Sequence, residues 1–258
     1  MIKARSTASS GHESGLMRSR TREIAVFTGS LIACVLIAVL WLTPGGAVVA
    51  SGALPTQEKA PMTQSPVLDP DRVATFESAG WRAYYDRNWP RVFWLMVQLN
   101  REGFHMSLPT ALAASVDILR ASIAFAPIDN DVPAATADLR RFYDKARRSA
   151  SLRADAQTLA VLEMDYWVVH RKLAQERKQT SNHTGDIEPM VASLARLHAA
   201  LSDATPEAIR RSAELRAQAA VTVDRITGGY STDVTADWRQ VEAHLLEAYR
   251  ALQGKDCQ

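Results

Sequence analysis

The sequence predicts an all-α protein: a single N-terminal transmembrane helix, a Pro-rich linker, and a compact bundle of about eight helices. Three observations predict it. Residues 24–42 carry no charged side chain. Residues 44–69 hold Pro44, Pro55, Pro61 and Pro66 among Gly, Ser, Thr and Gln. From Asp71 onward the apolar residues recur at helical spacing and strand-like alternation is nearly absent.

The chain divides on these features into a basic leader (1–23), a membrane helix (24–43), a flexible linker (44–70) and an all-α domain (71–253). The leader is rich in Ser, Thr, Arg and Gly, a composition that does not bury a core. At 1.5 Å per residue the apolar run spans the hydrocarbon layer of about 30 Å. Only Thr28 and Ser30 interrupt it, and Trp41 suits an interfacial anchor. Arg18, Arg20 and Arg22 precede the run, and the next basic residue after it is Lys59. The positive-inside rule then sets the N-terminus in the cytoplasm and the main domain outside it, at the plasma (inner) membrane. Val48-Val49-Ala50 ahead of Ser51 also resembles a signal-peptide cleavage site. The apolar run is longer than an h-region of about 7–15 residues, and the charged leader is long, so an uncleaved anchor is the preferred reading.

Helix starts within the domain are legible. Asn88-Trp89-Pro90, Ser107-Leu108-Pro109, Asp131-Val132-Pro133 and Thr205-Pro206 each set a capping side chain before a first-turn proline. The expected helices are 71–87, 90–104, 108–125, 132–149, 154–179, 187–202, 206–227 and 234–252. Their short connections imply antiparallel neighbours. The helix over 90–104 is apolar on most sides and is expected at the centre of the bundle or, alternatively, against the membrane. In the helix from 154, Leu159, Leu162, Tyr166, Val169 and Leu173 form one stripe. Glu163, Trp167 and His170 form a second beside it, at the edge of the core.

Composition excludes several classes. The 258 residues are 47% hydrophobic and 22% charged, globular values that exclude a wholly disordered chain. A mean hydropathy of −0.14 excludes a polytopic membrane protein. Two cysteines, Cys34 and Cys257, exclude a disulfide scaffold and a Cys-rich zinc site. The net charge is +2, of which the first 23 residues hold +3 and the remainder −1. A near-neutral domain is not expected to bind nucleic acid.

Candidate chemistry is sparse. Glu102 and His105 have the Glu-x-x-His spacing of di-metal helical bundles, with Glu77, Glu163 and His170 as conceivable further ligands. A second such pair is missing from the sequence. Glu163, His170 and Arg171 form the densest polar–aromatic segment. They suggest either a pocket with His170 as acid, base or ligand, or a polar pair stapling helices, with Arg171 joined to a carboxylate. Trp81, Tyr84, Tyr85, Trp89, Phe93 and Trp94 read mainly as core. Asp131 reads as an N-cap rather than a calcium ligand. Asn182-His-Thr184 fits a glycosylation acceptor. No nucleophile elbow, phosphate loop or dinucleotide fingerprint occurs, and no cofactor is expected.

The run Trp81-x-x-Tyr84-Tyr85-x-x-x-Trp89, Phe125-Ala-Pro-x-Asp129-Asn-Asp131, Arg140-Arg-Phe-Tyr143 and Glu163-x-x-x-Trp167-x-x-His170-Arg171 resembles a bacterial family of helical proteins with no assigned activity. The similarity continues through Leu197-His-Ala-Ala-Leu201, Arg216-Ala217 and Tyr249-Arg-Ala-Leu252, and covers residues 75–252 without the anchor. The resemblance implies a helical fold and no reaction. The expected role is binding or scaffolding with a membrane or extracytoplasmic protein partner. The alternative is a metal-binding or enzymatic helical protein centred on Glu163 and His170.

Overall fold

The computed structural model describes residues 68–180, 183 and 185–253. The leader, the apolar run 24–43 and most of the linker lie outside the described residues, as do Asn182 and Thr184 of the acceptor sequence. Among the described residues there are eight helices and no strand: α1 (Pro70–Tyr85), α2 (Trp89–Phe104), α3 (Leu108–Phe125), α4 (Val132–Ala150), α5 (Ala156–Gln179), α6 (Glu188–Ser202), α7 (Pro206–Thr227) and α8 (Val234–Leu252).

Local chemistry explains where each begins. Asn88, Ser107, Asp131 and Thr205 accept from the amides of Arg91, Thr110, Ala134 and Ala208, satisfying first-turn donors that have no partner within the helix. Asp69 caps α1 ahead of Pro70, a fifth instance of the same arrangement. Asp155 and Asp233 cap α5 and α8. At α6 the residue before the helix is Ile187, and Asp186 accepts from the Glu188 amide instead.

Each helix packs on the one before and the one after, and α8 returns to α1. The eight helices therefore close a ring of antiparallel hairpins. This closure sets the core. A large cluster joins Val97, Ala111, Leu139, Leu159, Leu194 and Ala213 across α2 to α7. A smaller one seals α1 to α7 and α8 through Ala74, Trp81, Val223, Val241 and Leu245.

The ring places α2 differently from expectation. It is a ring helix and not a central one: Val92, Met96, Val97 and Asn100 face inward, while Trp94 is 50% exposed. Its apolar surface is wide because it meets α1, α3 and α4 at once. By length and composition α3 is apolar enough to cross a membrane, but half of that window is buried inside the ring. In α5 the second stripe lies deeper than the edge. Trp167 and His170 are both buried, His170 completely, whereas Leu162 and Val169 are only partly so. Packing from α4 and α6 on either side draws the buried face of α5 toward Met164, Trp167 and His170.

The even-numbered helices α2, α4 and α6 end at one side of the ring, each with a left-handed non-glycine residue: His105, Ser151 and Asp203. The same side carries the start of α1 and the end of α8, tied by the Gln253 side chain donating to the Leu68 carbonyl at 2.5 Å.

Candidate functional site

A cavity of about 470 Å3 runs into the ring from that side. At the helix ends on this side it is lined by Leu68, Gly103, Phe104, Leu152, Leu201, Ser202, Leu252 and Gln253. Val73, Met96, Leu99, Ile118, Leu139 and Leu197 make apolar walls. Several polar residues lie deeper, alongside Met96, Ile118 and Leu139 of the walls. With a rise of 1.5 Å per residue, Glu77 and Glu163 sit about 10 Å along their helices from the mouth, and Tyr166 and Arg216 about 15 Å.

Two hydrogen-bonded groups make the floor. Glu77 takes Arg216 in a two-pronged pair: Nη1 donates to Oε2 at 2.8 Å and Nη2 donates to Oε1. The Tyr249 hydroxyl donates to Glu77 Oε2 at 2.6 Å. This joins α1, α7 and α8, the three helices that close the ring. Opposite, Glu163 accepts from the Tyr143 hydroxyl at 3.0 Å and from Trp167 Nε1 at 2.7 Å. Burial, and secondarily the nearby carboxylates, keep the phenols of Tyr143 and Tyr249 well above their ordinary pKa, so both remain donors. Burial does the same for Tyr166.

His198 lines the cavity from α6, and its Nδ1 is buried with no partner among the described residues. Burial together with the Arg216 charge pushes its pKa down to about 3, so it is neutral at physiological pH. Glu163, His198 and Arg216 each keep partial exposure although they lie inside the fold, as cavity-wall residues do.

The expected site residues separate. Glu163 is in the cavity, and Glu77 faces it there. His170 is not in the cavity lining. Its Nε2 lies 3.4 Å from Asp224 Oδ2 in a buried cluster that Arg177 completes by pairing with the same oxygen. Burial favours the neutral form of Asp224, but His170 and Arg177 outweigh it and hold the carboxyl below its usual value. Tyr166 stacks on His170 with ring centroids 5.8 Å apart, so one turn of α5 links the cluster to the cavity floor. Arg171 points elsewhere: it donates to the carbonyls of Phe125 at 2.6 Å and Pro127 at 3.2 Å, and lies over the Phe125 ring. Glu102 pairs with Arg72 at 3.1 Å, and His105 caps α2; both line a small polar pocket away from Glu163 and His170. Among the described residues no three His, Cys, Asp or Glu side chains converge as a metal site.

The residues that sequence reasoning did not single out as functional are His198, Arg216 and Tyr249. Their signal was a polar side chain on an apolar stripe. Arg216 falls among Ala213, Ala217, Ala219 and Ala220, all buried. Glu77 falls among Val73, Ala74 and Trp81 in the same way. Chemically the arrangement sets fixed acceptors and neutral donors along a cavity with largely apolar walls. Comparison with protein-family models, curated proteins and solved structures returned no match to this chain.

Proposed function

We propose that this is a single-pass, membrane-anchored binding protein whose helical domain holds a small, largely apolar molecule in the ring cavity. The observation that carries the reading is the cavity itself, about 470 Å3 with largely apolar walls and a few buried polar groups inside it. Small-molecule sites occupy about 300–1,000 Å3 and combine apolar walls with a few oriented polar groups. Protein interiors otherwise pack without voids of this size, and burying ionised groups is costly. A cavity that incurs both penalties at one place is accounted for by an occupant that fills the void and uses the polar groups.

Anchoring is supported by the uncharged run at 24–42 and the arginines before it. Leu68 lies at the mouth, so the linker meets the domain on the side where the cavity opens. The domain is then extracytoplasmic, and a reporter active only outside the cytoplasm should be active when fused after Gln258. Activity of a cytoplasm-only reporter at that position would overturn the topology.

Gly103 provides the test of binding. It lines the cavity, and a Cβ there meets nothing within 4 Å. Gly103→Leu should therefore add a side chain at the cavity lining whose first carbon meets no neighbour. It should preserve or raise thermal stability, since glycine within a helix costs about 0.5–1 kcal/mol relative to alanine. A fluorescent apolar probe should bind the wild-type full chain in detergent and bind Gly103→Leu at least about tenfold more weakly, a difference of about 1.4 kcal/mol. Equal binding by the two proteins would remove the cavity from the account.

A further inference from the structure

We infer that the fold carries a second binding site, a polar pocket between α1 and α8 that takes a soluble phosphate ester. It is independent of the ring cavity and shares no lining residue with it. Its volume of about 400 Å3 falls within the range of small-molecule sites. Thr75, Ser78, Arg82 and Asp86 line it from one face of α1 and its C-cap, at spacings of three and four residues. Thr235, Trp238, Arg239 and Glu242 line it from one face of α8 in the same way. Asn88 and Arg91 close it from the start of α2. Arg82 is about 18 Å along α1 from Pro70, so the arginines lie away from the side where the cavity opens.

The sign of the ligand follows from the arginines. A guanidinium stays protonated in proteins. Arg82, Arg91 and Arg239 are exposed, and their side chains make no ion pair or hydrogen bond among the described residues. Other surface arginines do find acids: Arg72, Arg153, Arg196, Arg210 and Arg250 each hold a carboxylate. The carboxylates of the pocket leave the three unpaired. Glu242 accepts instead from the Thr75 hydroxyl at 3.0 Å. Even with Asp86 and Glu242 both counted as charged, three guanidiniums against two carboxylates leave +1. Unpaired cations gathered in one recess repel one another, and the protein walls focus their field. A multiply charged anion relieves that repulsion.

Phosphate matches these donors. A guanidinium fork meets two phosphate oxygens with parallel N–H bonds. The three arginines stand on three helices, α1, α2 and α8, so their donors come from different directions. A tetrahedral group uses such an arrangement fully, whereas a planar carboxylate presents one edge. The Thr235 hydroxyl and the Asn88 amide add uncharged donors to the lining. Trp238 and Ala79 set apolar surface beside the arginines, which suits the organic part of an ester rather than the bare ion.

The test is calorimetric titration of the full chain in nonionic detergent at constant ionic strength, with phenyl phosphate, inorganic phosphate and phenol. Phenyl phosphate is expected to bind saturably at one site, at least about threefold more tightly than inorganic phosphate. Phenol should give only the heat it gives with detergent alone. Arg82→Met and Arg239→Met should each weaken phenyl phosphate at least about tenfold. Both positions are exposed, so the melting temperature should stay within about 2 °C of wild type. Arg82→Lys keeps the charge, loses the fork and should fall between. Arg140→Met removes an exposed arginine of α4 outside the pocket and should leave binding unchanged, as should Gly103→Leu at the separate cavity. Absence of saturable phenyl phosphate binding, binding that survives both methionine variants, or an equal loss in Arg140→Met would overturn the inference. Inorganic phosphate binding as tightly as phenyl phosphate would leave an ion site and overturn the ester. Arginine-dependent binding of dioctanoyl phosphatidic acid without binding of phenyl phosphate would make this a lipid-headgroup site and overturn the soluble ligand.

Discussion

Replacing Arg216 with methionine is expected to destabilise the fold by about 3–5 kcal/mol, the usual cost of removing one partner of a buried ion pair. The pair is well enclosed: Glu77 is 2% exposed and Arg216 is 14% exposed at the side chain. Without Arg216, Glu77 keeps only the Tyr249 hydroxyl of the donors described above, and its charge loses its counter-ion. The double variant Glu77→Gln, Arg216→Met should recover much of the loss, because it removes both charges. Denaturant unfolding of the three proteins measures this. A cost below 1 kcal/mol for the single variant would show that the pair does not close the ring.

The same substitution has a signature in pH. In the folded wild type His198 stays neutral down to about pH 3. An unfolded histidine takes a proton near pH 6.5. As pH falls below that value the unfolded chain binds a proton that folded His198 does not. Stability should therefore decline toward low pH by up to about 1.4 kcal/mol per pH unit for this group. Arg216→Met removes the charge that adds to burial in depressing His198, so the decline should end at a higher pH. His198→Gln should abolish this part of the slope altogether.

Asp224→Asn is the second large effect. Arg177 and Asp224 are 2% and 3% exposed at their side chains, and His170 is completely buried beside them. The substitution leaves the Arg177 guanidinium buried without its carboxylate, a loss of about 3–5 kcal/mol. The folded Asp224 carboxyl lies below its ordinary pKa, since His170 and Arg177 outweigh burial. Its contribution is accordingly full above the unfolded value near 3.9 and is lost as pH falls through the lower folded value. Wild type should show a steeper acid limb than Asp224→Asn below about pH 4. Parallel acid limbs would mean that Asp224 is not ionised in the fold. The cluster leaves His170 Nδ1, Asp224 Oδ1 and two Arg177 nitrogens without partners among the described residues, so it is poorly compensated and sensitive to change.

The helices were legible because their boundaries are local chemistry. A capping side chain followed by proline requires only three residues to be read, and Asn88, Ser107, Asp131 and Thr205 behave as that pattern implies. Asp69-Pro70 is the same signal, and it moves the start of α1 one residue earlier than the stripe from Asp71 suggested. At α5 the cap is Asp155, so the helix begins at Ala156 rather than at 154.

The site was less legible because it is assembled from distant segments. Glu77 and Arg216 are separated by 139 positions in the chain, and Tyr249 lies 172 beyond Glu77. A period of 3.6 says that Arg216 faces inward with its alanine neighbours; it does not say that Glu77 will face it. Ring closure between α1 and α8 supplies that, and no local pattern encodes it. His170 shows the converse. Its sequence neighbour Glu163 is two turns away on the same stripe of the helix, yet about 10 Å of rise separates them, so that one enters the cavity and the other meets Asp224 on α7. The aromatic stretch divided in the same manner: Trp81 is buried in the seal between α1 and α8, and Trp94 is half exposed.

The central claim is that the ring holds a ligand, and native mass spectrometry of the full chain purified from membranes in mild detergent tests it most directly. Wild type should carry a near-stoichiometric small-molecule mass that dissociates on collisional activation, and Gly103→Leu should lack it while remaining folded. A wild-type mass equal to the bare chain, with the added fluorescent apolar probe also failing to produce an adduct, would contradict the account.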